Sequence, residues 1–142
     1  MNETEGQSQL DEAARQARLQ SVAPFSKFFV GAAVRAASGK IYTGCNIESA
    51  SYGLTVCAER VAIWKGLSEG ERDFTALSVV ADTESLTPPC GTCRQIIWEF
   101  CKNASIKLLN LRGESQIVSI KELLPRAFDA RFLKEVKHDS TK

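Results

Sequence analysis

Two short stretches hold the residues most able to do chemistry: Cys57-Ala58-Glu59-Arg60 and Pro89-Cys90-Gly91-Thr92-Cys93-Arg94-Gln95. Between them they offer three thiols, one carboxylate and two guanidinium groups. Cys90 and Cys93 are three apart at the expected start of a helix, so both sulfurs lie on one side of it. Cys57 stands at the expected start of another helix. Three cysteines can hold one zinc ion and leave its fourth position to water, the pattern of a catalytic zinc rather than a structural one. Glu59 is then the candidate proton carrier. Three thiolates outweigh the charge of Zn²⁺ and would blunt its Lewis acidity unless the sulfurs are partly neutralised. Two helix N-termini bring partial positive charge and free amide donors. Arg60 and Arg94 are placed to donate hydrogen bonds to the thiolates, Arg60 above all.

Blander readings stand beside this one. A lone C-x-x-C also fits a redox pair or a structural zinc, which needs a fourth protein ligand. Cys101 lies two helical turns past Cys93, roughly 12 Å away, too far to share the ion. Spacing alone leaves Cys45 open, although a small buried strand residue is its simpler reading. Taken alone, Glu59 is an ordinary first-turn glutamate favoured by the helix dipole.

The chain has 142 residues, a formal net charge of +1 and one histidine, His138, so a zinc site must be built mostly from cysteine. Its length fits one domain spanning 1–142, with about 1–8 and 133–142 expected to be flexible. The near-neutral charge gives no support for binding nucleic acid through phosphates. Five cysteines, an odd number, with no secretory signal favour reduced thiols over disulfides. No stretch reaches the length needed to span a membrane. A cytoplasmic protein is expected.

The elements that must position these residues follow from periodicity and punctuation. Residues 1–7 read as disordered, and Leu10, Ala13, Ala14, Ala17 and Val22 form an apolar stripe that predicts a helix over 9–21. Pro24 ends it, and 24–29 form a loop. Strands are expected over 30–37 and 41–47 as a hairpin turning at Ser38-Gly39-Lys40. Asn46 and Glu48 stand at the end of the second strand, two apart and hence on one side if it continues. A polar loop over 49–55 leads to a helix over 57–68, stopped at Gly70. A strand over 75–81, a loop over 82–89 and a helix opening at Cys90 come next. Strands over 105–111 and 116–120, a helical turn over 121–124 and a tail that is helical at first complete the chain. Alternation in the middle argues for parallel crossovers, and the opening hairpin for an antiparallel pair. The expected fold is α/β, three-layered, with a mixed sheet of about five strands and helices on both faces.

Asn46-Ile47-Glu48, Cys57-Ala58-Glu59-Arg60 and Pro89-Cys90-Gly91-Thr92-Cys93-Arg94-Gln95, in that order and spacing, closely resemble the small homotetrameric zinc-dependent cytidine deaminases of pyrimidine salvage. The likeness runs from about Phe25 to Phe128. It implies the cytidine-deaminase-like fold and hydrolytic deamination of cytidine and 2′-deoxycytidine to uridine and 2′-deoxyuridine with release of ammonia. It implies one Zn²⁺ per subunit on Cys57, Cys90 and Cys93, with a zinc-bound hydroxide attacking C4 and Glu59 shuttling protons. It further implies that Asn46 and Glu48 hold the ribose 3′-hydroxyl, that backbone around Ala58 contacts the pyrimidine, and that Phe28 packs on the base. Phe128 and Tyr52 match aromatics that serve sites across subunit boundaries, so a homotetramer with shared active sites is implied. Two positions depart from the family pattern. Pro88 stands where serine or threonine is common, and Phe29 where proline is frequent. Competing readings are a nucleoside-antibiotic deaminase, a polynucleotide editor and a zinc-stabilised binding module. Asn46 and Glu48 favour a free nucleoside, and the lack of a basic surface disfavours a polynucleotide.

Overall fold

The computed structural model of the protein describes residues 2–136. The expectation of a frayed tail therefore falls partly on residues 137–142, outside the described residues. The first helix, α1 (Glu3–Arg18), starts well before the expected residue 9, within the stretch read as disordered. Two local features explain the early start. The Asn2 side chain accepts from the Glu5 amide at 2.8 Å, an N-cap, and Glu3 and Glu5 sit where the helix dipole favours acids. The first turns are also tied to the sheet: Gln7 donates to Asp11 and Ser78, and Arg35 donates to the Gly6 carbonyl. Leu10 and Ala14 of the apolar stripe are fully buried, whereas Val22 has left the helix and forms an isolated bridge with Ile47.

The strands are β1 (Val30–Ala36), β2 (Ile41–Cys45), β3 (Phe74–Ala81), β4 (Ser105–Leu109) and β5 (Ser115–Val118). They form one mixed sheet in the order β2-β1-β3-β4-β5, parallel only between β3 and β4. Helix α2 (Ala58–Ser68) joins β2 to β3, and α3 (Gly91–Phe100) makes the parallel crossover from β3 to β4. Two short helices, α4 (Ile120–Leu123) and α5 (Ala130–Lys134), follow the sheet. The expected five strands are present, with the antiparallel β1–β2 hairpin and a parallel crossover through α3; the antiparallel pairings of β1 with β3 and of β4 with β5 had no counterpart among the expectations. Four strands stop short of the expected ends, β1 at Ala36 and β5 at Val118 among them. β2 gives way at Cys45, and Asn110 closes β4 by accepting from the Arg112 and Glu114 amides.

Strand alternation sorts the core into two layers. Ala32 and Val34 of β1, with Leu77 and Val79 of β3 and Ile106 and Leu108 of β4, pack against Ala58, Ala62, Ile63 and Ile97 of α2 and α3. Ala33, Val80 and Leu109 point the other way, onto Leu10 and Ala14 of α1. Gly44 lets α2 close on the sheet. A Cβ there would lie 2.4 Å from the Ala58 carbonyl oxygen and 2.6 Å from the Ala62 nitrogen. The first turn of α2 therefore rests directly on β2 backbone, which fixes where Cys57 stands. Gly31 plays the same part for α1, against the Ala14 carbonyl.

Candidate active site

The C-terminal ends of β2 and β3 and the start of β1 meet at one end of the sheet: Cys45 opposes Gly31, and Val30 opposes Ala81. The helices that follow β2 and β3 both begin there. Cys57 is the N-cap residue of α2 and Cys90 that of α3, and neither side chain makes a capping hydrogen bond. Cys93 lies in the first turn of α3, fully buried. The three sulfurs lie within 4.8 Å of one another, with Cys57 and Cys90 Sγ 3.5 Å apart. A tetrahedral zinc with thiolates at about 2.3 Å separates its sulfurs by about 3.8 Å, so this donor set suits that ion. Among the described residues neither Cys45 nor Cys101 joins the group. Among the described residues, the closed four-ligand site required by the binding-module reading is not built.

Electrostatics around the sulfurs follow from the same geometry. Contact with the Cys93 thiol, then a hydrogen bond from Arg60, pull the Cys57 thiol down against the effect of burial. The reciprocal contact and burial push the Cys93 thiol up. Arg60 Nη2 donates to Cys57 Sγ at 3.7 Å while its guanidinium lies over the Trp64 ring. Arg94 does not do what its position after Cys93 suggested. Its Nε donates to the Pro89 carbonyl and its Nη1 to the Leu123 carbonyl, each at 2.8 Å. One further residue around the helix turns the side chain from the sulfurs toward α4, where it ties the Cys90 loop down.

Glu59, in the first turn of α2, is only 4% exposed. Burial, with the negative charge of Cys57 adding to it, pushes its carboxyl up to about 7. It lies on the wall of a cavity of about 180 Å³ together with Cys57, Ala58 and Cys90. Phe28, Asn46 and Glu48 line the same cavity, so β2 need not continue to place the latter two on one side. Asn46 is buried. Its Oδ1 accepts from the Val30 amide at 2.9 Å and its Nδ2 donates to the Phe28 carbonyl at 2.6 Å. The Glu48 carboxylate accepts from the Phe25 and Ser26 amides and from the Ser26 hydroxyl.

Two expected site residues lie outside the cavity of their own chain. Tyr52, 75% exposed, packs edge-on against Phe25. Phe128, also exposed, stacks on Phe132 beside a separate groove lined by Trp98 and Asp129. Sequence reading passed over several residues that do line the cavity: Ser26, Val30, Thr55, Val56, Val79 and Thr87. For Val79 no local signal exists, because its place depends on which face of β3 meets α2. For Ser26 the signal was a hydroxyl two residues ahead of an aromatic, in a loop near two polar strand-end residues.

Comparison with known proteins agrees with this geometry. Residues 4–108 match the family model described as the cytidine and deoxycytidylate deaminase zinc-binding region. A cytidine deaminase of Sporosarcina psychrophila is 51% identical over 116 residues, covering 81% of this chain and 85% of that protein. One from Halalkalibacterium halodurans is 50% identical over 122 residues, covering 85% and 92%. The crystal structure of cytidine deaminase from Burkholderia pseudomallei superposes with a TM-score of 0.83 at 42% identity, covering 90% of this chain and all of that one. That of Mycobacterium tuberculosis gives 0.74 at 35% identity, covering 87% and 97%.

Proposed function

Because the chain belongs to the cytidine and deoxycytidylate deaminase family, we propose that it hydrolyses cytidine and 2′-deoxycytidine to uridine and 2′-deoxyuridine with release of ammonia, in pyrimidine salvage. The observation that carries this reading is the cluster of three cysteine sulfurs beside a cavity whose wall includes Cys57, Cys90 and the buried Glu59 carboxylate. Cys57, Cys90 and Cys93 hold zinc, one ion per subunit, and zinc supplies the Lewis acidity that makes water a nucleophile at neutral pH.

The chain's own groups do the rest. Glu59 takes a proton from the attacking water, delivers it to N3 of the pyrimidine, and carries a second to the amine leaving C4. Its burial favours the protonated form, and a zinc ion held by the three cysteines would work against that, so the carboxyl could both accept and donate. The Phe28 ring closes one side of the base. Backbone at Ala58 contacts the pyrimidine, and the Pro88 carbonyl, which proline retains, accepts from the amine. Asn46 and Glu48 hold the 3′-hydroxyl of the sugar. Arg60 stabilises the Cys57 thiolate through its hydrogen bond.

Phe128 and Tyr52 are exposed and outside their own cavity, so they are available to the site of another copy. A homotetramer with shared active sites, working in the cytoplasm as a single domain, is the assembly we propose. No described helix is long and apolar enough to cross a membrane.

The test follows cytidine absorbance after addition of zinc-loaded protein, with Glu59→Ala beside it. Loss of the cytidine signal with the wild type, and a rate lower by about 10²-fold to 10⁴-fold in the variant, is expected. Intact cytidine with a zinc-loaded wild type would reject the reading.

A further inference from the structure

The loop that carries Phe28 is held by very few contacts. Pro24 to Phe29 are all exposed, so burial does not order them. Lys27, in the middle, has φ +59°, a left-handed conformation that a side chain with a Cβ adopts only when its surroundings impose it. The Lys27 amide donates to the Ala23 carbonyl at 3.0 Å and Arg18 Nε to the Phe29 carbonyl at 3.1 Å, and beside these stands a set of hydrogen bonds centred on one hydroxyl. Ser26 Oγ donates to Glu48 Oε2 and accepts from the Phe28 amide at 3.0 Å. Glu48 Oε1 accepts from the Phe25 amide at 2.9 Å and the Ser26 amide at 3.1 Å. From the other end, Asn46 holds the Phe28 carbonyl and the Val30 amide.

Each of these groups has a consequence at the cavity. A hydroxyl has one proton, and Ser26 gives it to Glu48. Three donors on one carboxylate keep it ionised and therefore an acceptor only, with Ser26 the largest influence. A ligand group that meets Glu48 must then be a donor, such as a sugar hydroxyl. The same serine oxygen fixes the amide of Phe28, which lines the same cavity as Glu48. One side chain thus links the carboxylate that faces a sugar to the aromatic that faces a base.

We propose that Ser26 is a positioning residue that sets the orientation of Glu48 toward a sugar hydroxyl donor, and through it the discrimination between nucleosides that carry the 3′-hydroxyl and those that lack it. This rests on the reading of the cavity as a nucleoside site. Ser26 touches no reacting atom and acts through Glu48. Without the Ser26 hydroxyl the carboxylate keeps only the two amides on Oε1, Oε2 is no longer held in place, and the ligand hydroxyl loses a fixed acceptor.

The experiment measures binding of uridine and of 3′-deoxyuridine, neither of which can be deaminated, to zinc-loaded wild type, Ser26→Ala and Ser26→Thr by calorimetry. A hydrogen bond from a ligand hydroxyl to a carboxylate corresponds to about tenfold to hundredfold in affinity. Uridine should bind Ser26→Ala at least about tenfold more weakly than wild type, whereas 3′-deoxyuridine should differ by about twofold or less. Ser26→Thr keeps the hydroxyl and should restore uridine binding. With cytidine as substrate, Ser26→Ala should raise KM and leave kcat within about threefold, because the serine takes no part in the proton transfers.

Equal weakening for both ligands would overturn the proposal, since a merely loosened loop does not distinguish the sugars. So would a fall in kcat at unchanged KM, or a threonine variant no better than alanine. A wild type that binds uridine but leaves cytidine intact would refute the deaminase reading and leave the positioning role decided by the two ligands. A wild type that binds neither would overturn both.

Discussion

Replacing Gly44 by alanine should separate the placing of the zinc ligands from general stability. The added Cβ would lie 2.4 Å from the Ala58 carbonyl oxygen, about 1 Å inside ordinary contact. Both neighbours are backbone, so nothing flexible can yield, and the start of α2 must move off β2 by about that distance. Cys57 immediately precedes Ala58, so its sulfur moves with the helix while Cys90 and Cys93, on α3, stay. Zinc–ligand distances tolerate only about 0.2 Å. Zinc affinity should therefore fall by at least about tenfold, the lower end of what displaced ligand support costs.

Gly31→Ala is the matched comparison. It meets an equally immovable carbonyl, that of Ala14 at 2.0 Å, but on α1, across the sheet from the sulfurs. Both variants should lose about 1–3 kcal/mol of stability from overpacking. Only Gly44→Ala should lose zinc. Gly53→Ala, with nothing within 4 Å of the new methyl, should match wild type in both respects. Competition with a chromogenic chelator reads the affinity, and thermal unfolding reads the stability. If Gly44→Ala kept wild-type zinc affinity, or Gly31→Ala lost zinc equally, the seating of α2 on Gly44 would not be what positions Cys57.

Zinc uptake should depend on pH with a definite sign. Contact with Cys57 and burial favour the protonated Cys93 thiol, whereas contact with Cys93 and the hydrogen bond from Arg60 favour the Cys57 thiolate. Around neutral pH the ion must still displace the Cys93 proton, so affinity should rise about tenfold per pH unit for each proton released. Calorimetric titration in buffers of differing ionisation enthalpy counts those protons, and affinity independent of pH from 6 to 8 would contradict the shared-proton picture. Arg60→Gln removes the guanidinium that donates to Cys57 Sγ. It should weaken zinc retention by about tenfold or reduce turnover, read by chelator competition and by cytidine absorbance. Unchanged values of both would exclude a role for Arg60 at the sulfurs.

The parts of this molecule written in local pattern were readable in the chain. Cys57, Cys90, Cys93 and Glu59 announce themselves because few other uses explain those types at that spacing. The strands were visible because small apolar runs bounded by turn residues admit little else. What escaped was set by distant partners. The start of α1 depends on Asn2 as a cap and on Gln7 and Arg35 reaching across to Ser78 and Gly6. Arg94 follows a ligand directly, yet its direction is decided by the Leu123 carbonyl, 29 residues on. Ser26 reads as an ordinary loop serine until Glu48, 22 residues on, closes over it.

The two uncapped helix starts carry a cost that selection for function has to keep renewing. Serine, threonine, asparagine or aspartate at positions 57 and 90 would accept from the amides one turn ahead, and such a cap is commonly worth about 1 kcal/mol over a residue that makes none. A drift of sequence guided by folding alone would therefore exchange both cysteines for better cappers and erase the metal site in two steps, each a gain in stability. The active chain lives off that gradient. Its helices are begun by residues chosen for what they can grip, and stabilising searches run on this protein should hold positions 57 and 90 fixed from the outset.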